Sequence, residues 1–328
     1  MRRLLIGALG AAALVAAPAR AAETYNLTLA GASPGGLWST IGAALDKSLN
    51  KAYPGSTVTY QTGSGGIANA KLVQDKKVPM GIAADMELVA AYRGEGPFQG
   101  NPQKDLRTLV RVYTPSDRFH FLYVLVNGEV AKRHGIQTMA DLKKQAKNIR
   151  IAFNRPGNMD GELGMAVFEA NGVRTQSFKQ VVRAASSELT SLMLDRRIEA
   201  VSFGIAFNHS RIQELARGIP LVQIDVGGQA AAKVATQFGG QPCTIKAKEH
   251  DFLSEDKTSV CIGGVIVVHK DMDEATAYNL TKGILANIED FKSVHRTFEG
   301  TTPRSMAQPA IAPHHPGALR AFKEAGAM

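Results

Sequence analysis

Two glycine-rich turns carry the residues best suited to binding chemistry. Ser33, Gly35 and Gly36 lie in the first turn, and Ser64 and Gly65 lie in the second. Each turn connects a strand pattern to a helical pattern. Glycine lets a ligand approach the backbone closely, and the first N–H groups of a helix have no partner within the helix. Such a turn suits a carboxylate or a phosphate, although each one alone also fits an ordinary strand-to-helix connection.

A third turn differs from these two because it carries charged side chains. Arg155, Asn158 and Asp160 follow a strand that ends at Asn154. Arg155 is suited to pair bidentately with a ligand carboxylate, and Asp160 to receive an ammonium or hydroxyl group. A surface position is the alternative for both. If both face the ligand, an amino acid is favoured over a plain dicarboxylate.

Several single residues extend this candidate site. Trp38 is placed to cover the apolar body of a ligand, with a core anchor for its helix as the alternative. The amide of Asn69 is a candidate ligand contact, and capping of its own helix is the alternative for Asn69 and Ser64. The remaining candidates follow predicted strands, and they are Asp85, Ser202 and Phe203.

Alternating strands and helices must position these residues. The alternation predicts an α/β fold with two parallel sheets and with the turns at the carboxyl ends of the strands. The chain is expected to pass between two lobes near 122–127 and to return near 260–265, which act as hinges. The first lobe then comprises residues 22–126 and 261–328, and the second comprises residues 127–260.

The N-terminus predicts an exported protein. Residues 1–21 combine Arg2 and Arg3, an apolar run and the small-residue site Ala19-Arg20-Ala21, the pattern of a secretory signal peptide. An uncleaved anchor is the alternative. No later run is apolar enough to span a membrane.

Without residues 1–21 the formal charge falls from +9 to +6, because three arginines are removed. The basic residues are scattered, which argues against a nucleic-acid interface.

The two cysteines, Cys243 and Cys261, allow two interpretations. In an oxidising compartment a disulfide between them would stabilise the fold by about 3 kcal/mol in the chain-entropy model. The alternative is that Cys261, within an apolar run, is a buried thiol.

Catalytic and metal-binding patterns are weak. His314 and His315 are adjacent but have no second cluster of ligands at metal-binding spacing. No Gly-x-Ser-x-Gly elbow and no histidine with a clear carboxylate partner accompanies the serines. We therefore predict no metal, no cofactor and no enzymatic activity.

Four segments together resemble the TAXI family of solute receptors for TRAP transporters. They are LAGASPGGLWSTIGAAL, YQTGSGGIANAKLV, TMADLKKQAKNIRIAFN and the tail TTPRSMAQPAIAPHHPGALRAFKEAG. The third turn departs from the pattern of the family, Gly-x-x-Gly-Ser-Gly-Thr, because Asn158, Met159 and Asp160 replace its last three residues. Ligand identity is therefore not transferred from the family.

The resemblance implies a two-lobed periplasmic binding protein fold of type II with the ligand in the cleft between the lobes. It further implies a periplasmic, monomeric receptor that delivers a small carboxylate or amino acid, such as glutamate or 2-oxoglutarate, to a TRAP permease. A ligand carrier for a sensory protein is an alternative, and a neighbouring permease gene would argue against it. An enzyme on the same scaffold is a second alternative, and turnover of a ligand would reveal it.

Overall fold

The alternating strand and helix patterns fold into two separate sheets. The computed structural model describes residues 23–32, 37–117, 119–156, 158–206 and 209–328. In chain order the strands of this part are β1 (Asn26–Ala30), β2 (Thr57–Gln61), β3 (Met80–Ala84), β4 (Leu106–Tyr113), β5 (Phe121–Asn127), β6 (Arg150–Asn154), β7 (Gln180–Ala184), β8 (Ala200–Ile205), β9 (Leu221–Gln223), β10 (Gln241–Ile245), β11 (Lys257–Cys261) and β12 (Gly264–His269).

Helices connect most of the strands. They are α1 (Leu37–Ala52), α2 (Gly66–Gln74), α3 (Asp85–Arg93), α4 (Gly128–His134), α5 (Met139–Gln145), α6 (Met159–Ala170), α7 (Ser186–Leu194), α8 (Ser210–Gly218), α9 (Gly228–Phe238), α10 (Glu274–Ala286), α11 (Ile288–Lys292), α12 (Pro303–Met306) and α13 (Pro316–Glu324). Within the described ranges, no helix combines the length and the apolar character needed to cross a membrane. The predicted signal peptide lies outside the described residues.

The first sheet has the strand order β2-β1-β3-β12-β4. Strand β1 pairs in parallel with β2 and β3, whereas β12 runs antiparallel to both of its neighbours. Helices α1, α10, α11 and α13 supply the core on one face of this sheet, and α2 and α3 supply it on the other. The late strand β12 thus completes the sheet that the first third of the chain begins.

The second sheet has the order β10-β11-β5-β8-β6-β7, with β9 also paired to β5. It is mixed rather than parallel: β6 is parallel to β7 and β8, but β5 is antiparallel to β8, β9 and β11. The prediction of two parallel sheets was wrong for both sheets, because β12 enters the first sheet and β5 the second from the other lobe. Every residue of β5 is buried, since helices cover both faces of the sheet.

The sheets place the two crossings between the lobes. Strand β5 pairs only with strands of the second sheet, so the first crossing lies between Tyr113 and Phe121. The segment 122–127, expected to be a hinge, is instead part of a buried strand. The second crossing lies between Cys261 and Gly264, inside the expected segment 260–265.

A disulfide joins the two strands that precede the second crossing. Cys243 on β10 and Cys261 on β11 are bonded, with their Cα atoms 5.8 Å apart. The two strands are antiparallel neighbours, which brings the thiols together. Of the two interpretations left open by the sequence, the structure has the disulfide.

Candidate functional site

A pocket of about 120 Å³ lies between the lobes. That volume is several times the roughly 10–15 Å³ that one water needs, so it can hold a small organic molecule. One side, which we call the first wall, belongs to the lobe of the first sheet: Ala32, Leu37, Trp38, Gly65, Met86 and Glu87. The other side, the second wall, consists of Asn158, Asp160, Ser186, Phe203, Gly204, Ile205, His209 and Arg211. His120, on the first crossing, completes the lining and is counted with the second wall because it faces Asp160.

Six helices begin at this pocket. Residues of the first turns or N-caps of α1, α2 and α3 line the first wall, and those of α6, α7 and α8 line the second. The reason is topological, because helices that follow strands of an open α/β sheet start at the carboxyl edge of the strands. The positive ends of the helix dipoles concentrate there, which favours an anionic ligand.

Trp38 contributes an aromatic ring to the first wall. Its side chain packs against the cores of both lobes, and its Nε1–H donates to the Tyr113 hydroxyl at 3.3 Å. Tyr113 is buried and stacks on Phe119, with the ring centroids 4.6 Å apart. These contacts fix the indole where the two lobes meet.

Glu87 places a carboxyl group in the first wall. The side chain is buried, and Oε2 accepts the backbone N–H of Ala84 at 2.7 Å. A Cβ at Gly66 would collide with this carboxyl, so glycine is required where α2 begins. Burial, together with a smaller effect of the negative charge of Asp160, raises the pKa of Glu87 to about 8, although the backbone N–H groups of Ala84 and Gly66 oppose this rise. The carboxyl is therefore mainly protonated at neutral pH.

Asp160 and His120 form the polar centre of the second wall. His120 Nε2 and Asp160 Oδ1 are 3.1 Å apart. A Cβ at Gly204 would collide with both side chains, so the glycine on β8 permits this approach. Asn158 caps α6 by accepting the N–H of Asp160 at 2.9 Å, which fixes the backbone beneath the carboxylate.

Arg211 and His209 bring nitrogen donors to the second wall from the start of α8. Burial lowers the pKa of Arg211, with Glu214 opposing that effect, but a guanidinium stays charged at neutral pH. Burial lowers the pKa of His209 to about 4, and its Nδ1 accepts the N–H of Arg211 at 3.2 Å. The imidazole is neutral, so its Nε2 carries the proton and is available as a donor.

The family comparison fits this architecture over almost the whole chain. A model described as the NMT1-like family matches residues 29–326. The chain belongs to the NMT1-like family. Because the match covers both lobes, it includes every described residue of the pocket.

Solved structures with the same fold are distant in sequence from this NMT1-like protein. Malate-bound MatC from Rhodopseudomonas palustris has a TM-score of 0.57 at 10% identity, covering 92% of this chain and 97% of that one. The binding protein component of an ABC phosphonate transporter from Pseudomonas aeruginosa has a TM-score of 0.56 at 12% identity, with coverages of 84% and 79%. PhnD1 from Prochlorococcus marinus, in complex with methylphosphonate, has a TM-score of 0.54 at 14% identity, with coverages of 92% and 98%.

These similarities confirm the expected two-lobed periplasmic binding protein fold. They do not distinguish the TAXI family from other solute-binding proteins, so that finer assignment remains a prediction for this NMT1-like protein.

The pocket of the NMT1-like protein contains part of the site predicted from its sequence. Trp38, Gly65, Asn158, Asp160 and Phe203 all line it. Ser33, Gly35 and Gly36 lie outside the described residues.

Five predicted residues lie away from the pocket for identifiable reasons. Ser64 and Arg155 are exposed. Asn69 is buried and donates to the carbonyl of Ile82 at 2.8 Å. Ser202 points from β8 towards Gly164 of α6, and the next residue along the strand, Phe203, faces the opposite side.

The fifth residue, Asp85, is part of a buried ion pair behind the first wall. Arg111 Nη1 donates to Asp85 Oδ2 at 2.9 Å, and Nη2 donates to Oδ1 at 3.2 Å. Nη2 also donates to the Pro309 carbonyl at 2.7 Å. Two residues along a helix correspond to a rotation of about 200°, so Asp85 turns away from the pocket while Glu87 faces it. Of these two acids on α3, only Glu87 lines the pocket.

The polar residues that sequence reasoning missed are Glu87, His120, Ser186, His209 and Arg211. Four of them belong to the first turns or N-caps of helices that follow strands, so the rule used for the glycine turns would have found them. His120 lies instead at the start of an apolar run. No group of three potential metal ligands occurs among the described side chains.

Proposed function

We propose that this NMT1-like protein is an exported solute receptor that captures a small organic acid between its lobes and delivers it to a membrane permease. The observation that supports this function best is the convergence of six helix N-termini and Arg211 on one pocket between the lobes. Both features favour an oxyanion, and neither requires a reaction.

The second wall favours a carboxylate ligand and accommodates an amino acid. Arg211 is suited to bind a carboxylate of the ligand in the way first proposed for Arg155. Asp160 is suited to receive an ammonium group, and Trp38 to cover the carbon chain. Glutamate and 2-oxoglutarate remain the first candidates because they share two carboxylates and differ at the amino group.

The named ligands of the structural neighbours agree with an anionic class. MatC was solved with malate and PhnD1 with methylphosphonate, both small anions. The resemblance of the four sequence segments to the TAXI family supports a periplasmic receptor that delivers its ligand to a TRAP permease in the membrane.

Closure between the lobes would bury the ligand. Met86 and Ala84, from the first lobe, already pack in the core cluster of the second lobe with residues of α9. We infer that the crossings at 113–121 and 261–264 act as hinges and that ligand binding favours the packed form.

A thermal-shift screen of residues 22–328 against carboxylates, amino acids and phosphonates tests this function. A ligand present at 100 times its Kd stabilises the folded state by about 2.7 kcal/mol, which clearly raises the midpoint temperature of thermal unfolding. Isothermal titration would then measure the Kd of each hit. Failure of every small anion to bind would contradict the proposal, and turnover of a hit would indicate an enzyme instead.

A further inference from the structure

The carboxyl of Glu87 lines the pocket but has a different environment from its neighbour Asp85. Asp85 has the Arg111 guanidinium at 2.9 Å. Glu87 has backbone donors instead of a cation: the N–H of Ala84 lies 2.7 Å from Oε2, and the N–H of Gly66 also donates to the carboxyl. Both side chains are buried. One acid of α3 is thus neutralised by a cation, whereas the other has no such partner among the described residues.

The charged and titratable groups around Glu87 do not favour its ionisation. Asp160 on α6 and Asp85 on the same helix are acids, and Tyr113 on β4 is a buried phenol whose pKa is raised by that burial. The cation of β4, Arg111, is engaged by Asp85. On the second wall, His120 faces Asp160, while His209 and Arg211 start α8. The cations in this region are therefore matched to other groups or lie on the opposite wall.

We propose that Glu87 keeps its proton in the closed pocket and donates that O–H to an anionic oxygen of the ligand. This inference rests on the proposed function. It adds that, on the first wall, the anionic ligand contacts a neutral acid rather than a fixed cation.

The hydrogen-bonding capacity of the group supports this role. Oε2 accepts from the N–H of Ala84, which leaves Oε1 as the oxygen that we assign the proton to, and a protonated carboxyl is a donor that a carboxylate is not. An ionised Glu87 would instead repel the ligand within a water-poor pocket. A carboxylic acid kept neutral by its apolar surroundings is an established way to donate a hydrogen bond to an oxyanion.

A purely structural role is the alternative. Glu87 completes a capping arrangement at the start of α3 through the N–H of Ala84. Glu87→Gln retains this acceptor and a donor on the other atom, and it removes the titration. A cap alone predicts no change in the pH dependence of binding when glutamine replaces the acid.

The test measures the Kd of 2-oxoglutarate, which has no amino group to titrate, from pH 7.0 to 9.5. For a pKa of about 8 we expect the Kd of the wild type to rise roughly 30-fold over this range. Glu87→Gln should show a rise of less than about threefold. Glu95→Gln, an exposed acid beyond the same helix, serves as the control and should behave as the wild type.

Equal pH profiles for the wild type and Glu87→Gln would overturn the inference while leaving the proposed function intact. If 2-oxoglutarate does not bind, the strongest non-titrating hit of the screen replaces it; if nothing binds, the proposed function fails. A second readout without ligand is the carbonyl infrared band of a protonated carboxyl at pH 7. This band should be present in the wild type and absent in Glu87→Gln, and its absence from the wild type would also overturn the inference.

Discussion

The two walls of the pocket offer opposite kinds of recognition. The first wall is mainly shape and backbone: an indole, Gly65 at a helix start and a buried neutral acid. The second wall carries Asp160 and Arg211, side chains of opposite charge type, on the first turns of α6 and α8. The contrast indicates that the first wall accommodates the common features of a small acid, whereas the second distinguishes one ligand from another.

The supports of the two walls differ in the same way. Behind the first wall, Asp85 and Arg111 form an ion pair in which both side chains are at most 5% exposed. In the second wall, the charges are held by local contacts such as the cap of Asn158. If this contrast holds, the stability of the protein depends mainly on the first wall and its ligand selectivity on the second.

The largest expected effect concerns the support of the first wall. Arg111→Met leaves the buried Asp85 carboxylate without its cation and should lower the free energy of unfolding by about 3–5 kcal/mol. Urea unfolding of residues 22–328 measures this loss. Arg107→Met, at a less buried position of β4, is the control and should cost less than about 1 kcal/mol. A small effect of Arg111→Met would show that the pair does not stabilise this wall.

The next effect concerns ligand affinity and the second wall. Arg211→Ala should weaken binding of the best carboxylate by about 2–5 kcal/mol, or roughly 30-fold to several thousand-fold in Kd, because a desolvated charge partner is lost. Isothermal titration measures the change. Arg217→Ala, which lies on the exposed side of the same helix, should keep the wild-type Kd. Equal affinities for both variants would remove Arg211 from recognition.

The third effect is the pH dependence of the free energy of unfolding that Glu87 causes. The unfolded chain loses this proton near pH 4.5, whereas the folded protein keeps it until about pH 8. The raised pKa therefore stabilises the wild type fully only at low pH, and that contribution declines as the pH rises through this window. Relative to Glu87→Gln, the wild type should lose about 2 kcal/mol between pH 5.5 and 7.0.

Urea unfolding of both proteins at each pH provides the measurement. Glu95→Gln should follow the wild type, because its carboxyl is exposed. A constant difference between wild type and Glu87→Gln across this range would mean that Glu87 ionises normally in the folded protein.

The smallest effect concerns the local support of the second wall. Asn158→Ala removes the side-chain acceptor for the N–H of Asp160 and should cost about 1 kcal/mol of stability. We also expect a few-fold weaker binding, because the Asp160 carboxylate is held less firmly. The control is Asn148→Ala, which changes an exposed asparagine just after α5 and should leave both stability and Kd unchanged. A loss as large as that of Arg111→Met would contradict the contrast between the walls.

The sequence determined much of the fold through local patterns. Apolar strands, glycine turns and helical spacing sufficed to predict two α/β lobes. The pairing of β5 was not predictable in this way, because a mainly apolar run fits either sheet and either direction.

The sequence also determined that polar and glycine residues collect where strands give way to helices, because this follows from chain connectivity alone. Tertiary structure decided which of them face the ligand. The rotation of α3 directs Asp85 to Arg111 and Glu87 to the pocket. The pairing of β8 in the second sheet places Arg211 at the pocket, whereas Arg155 is exposed. Such choices depend on packing between segments far apart in the chain, which local residue patterns do not encode.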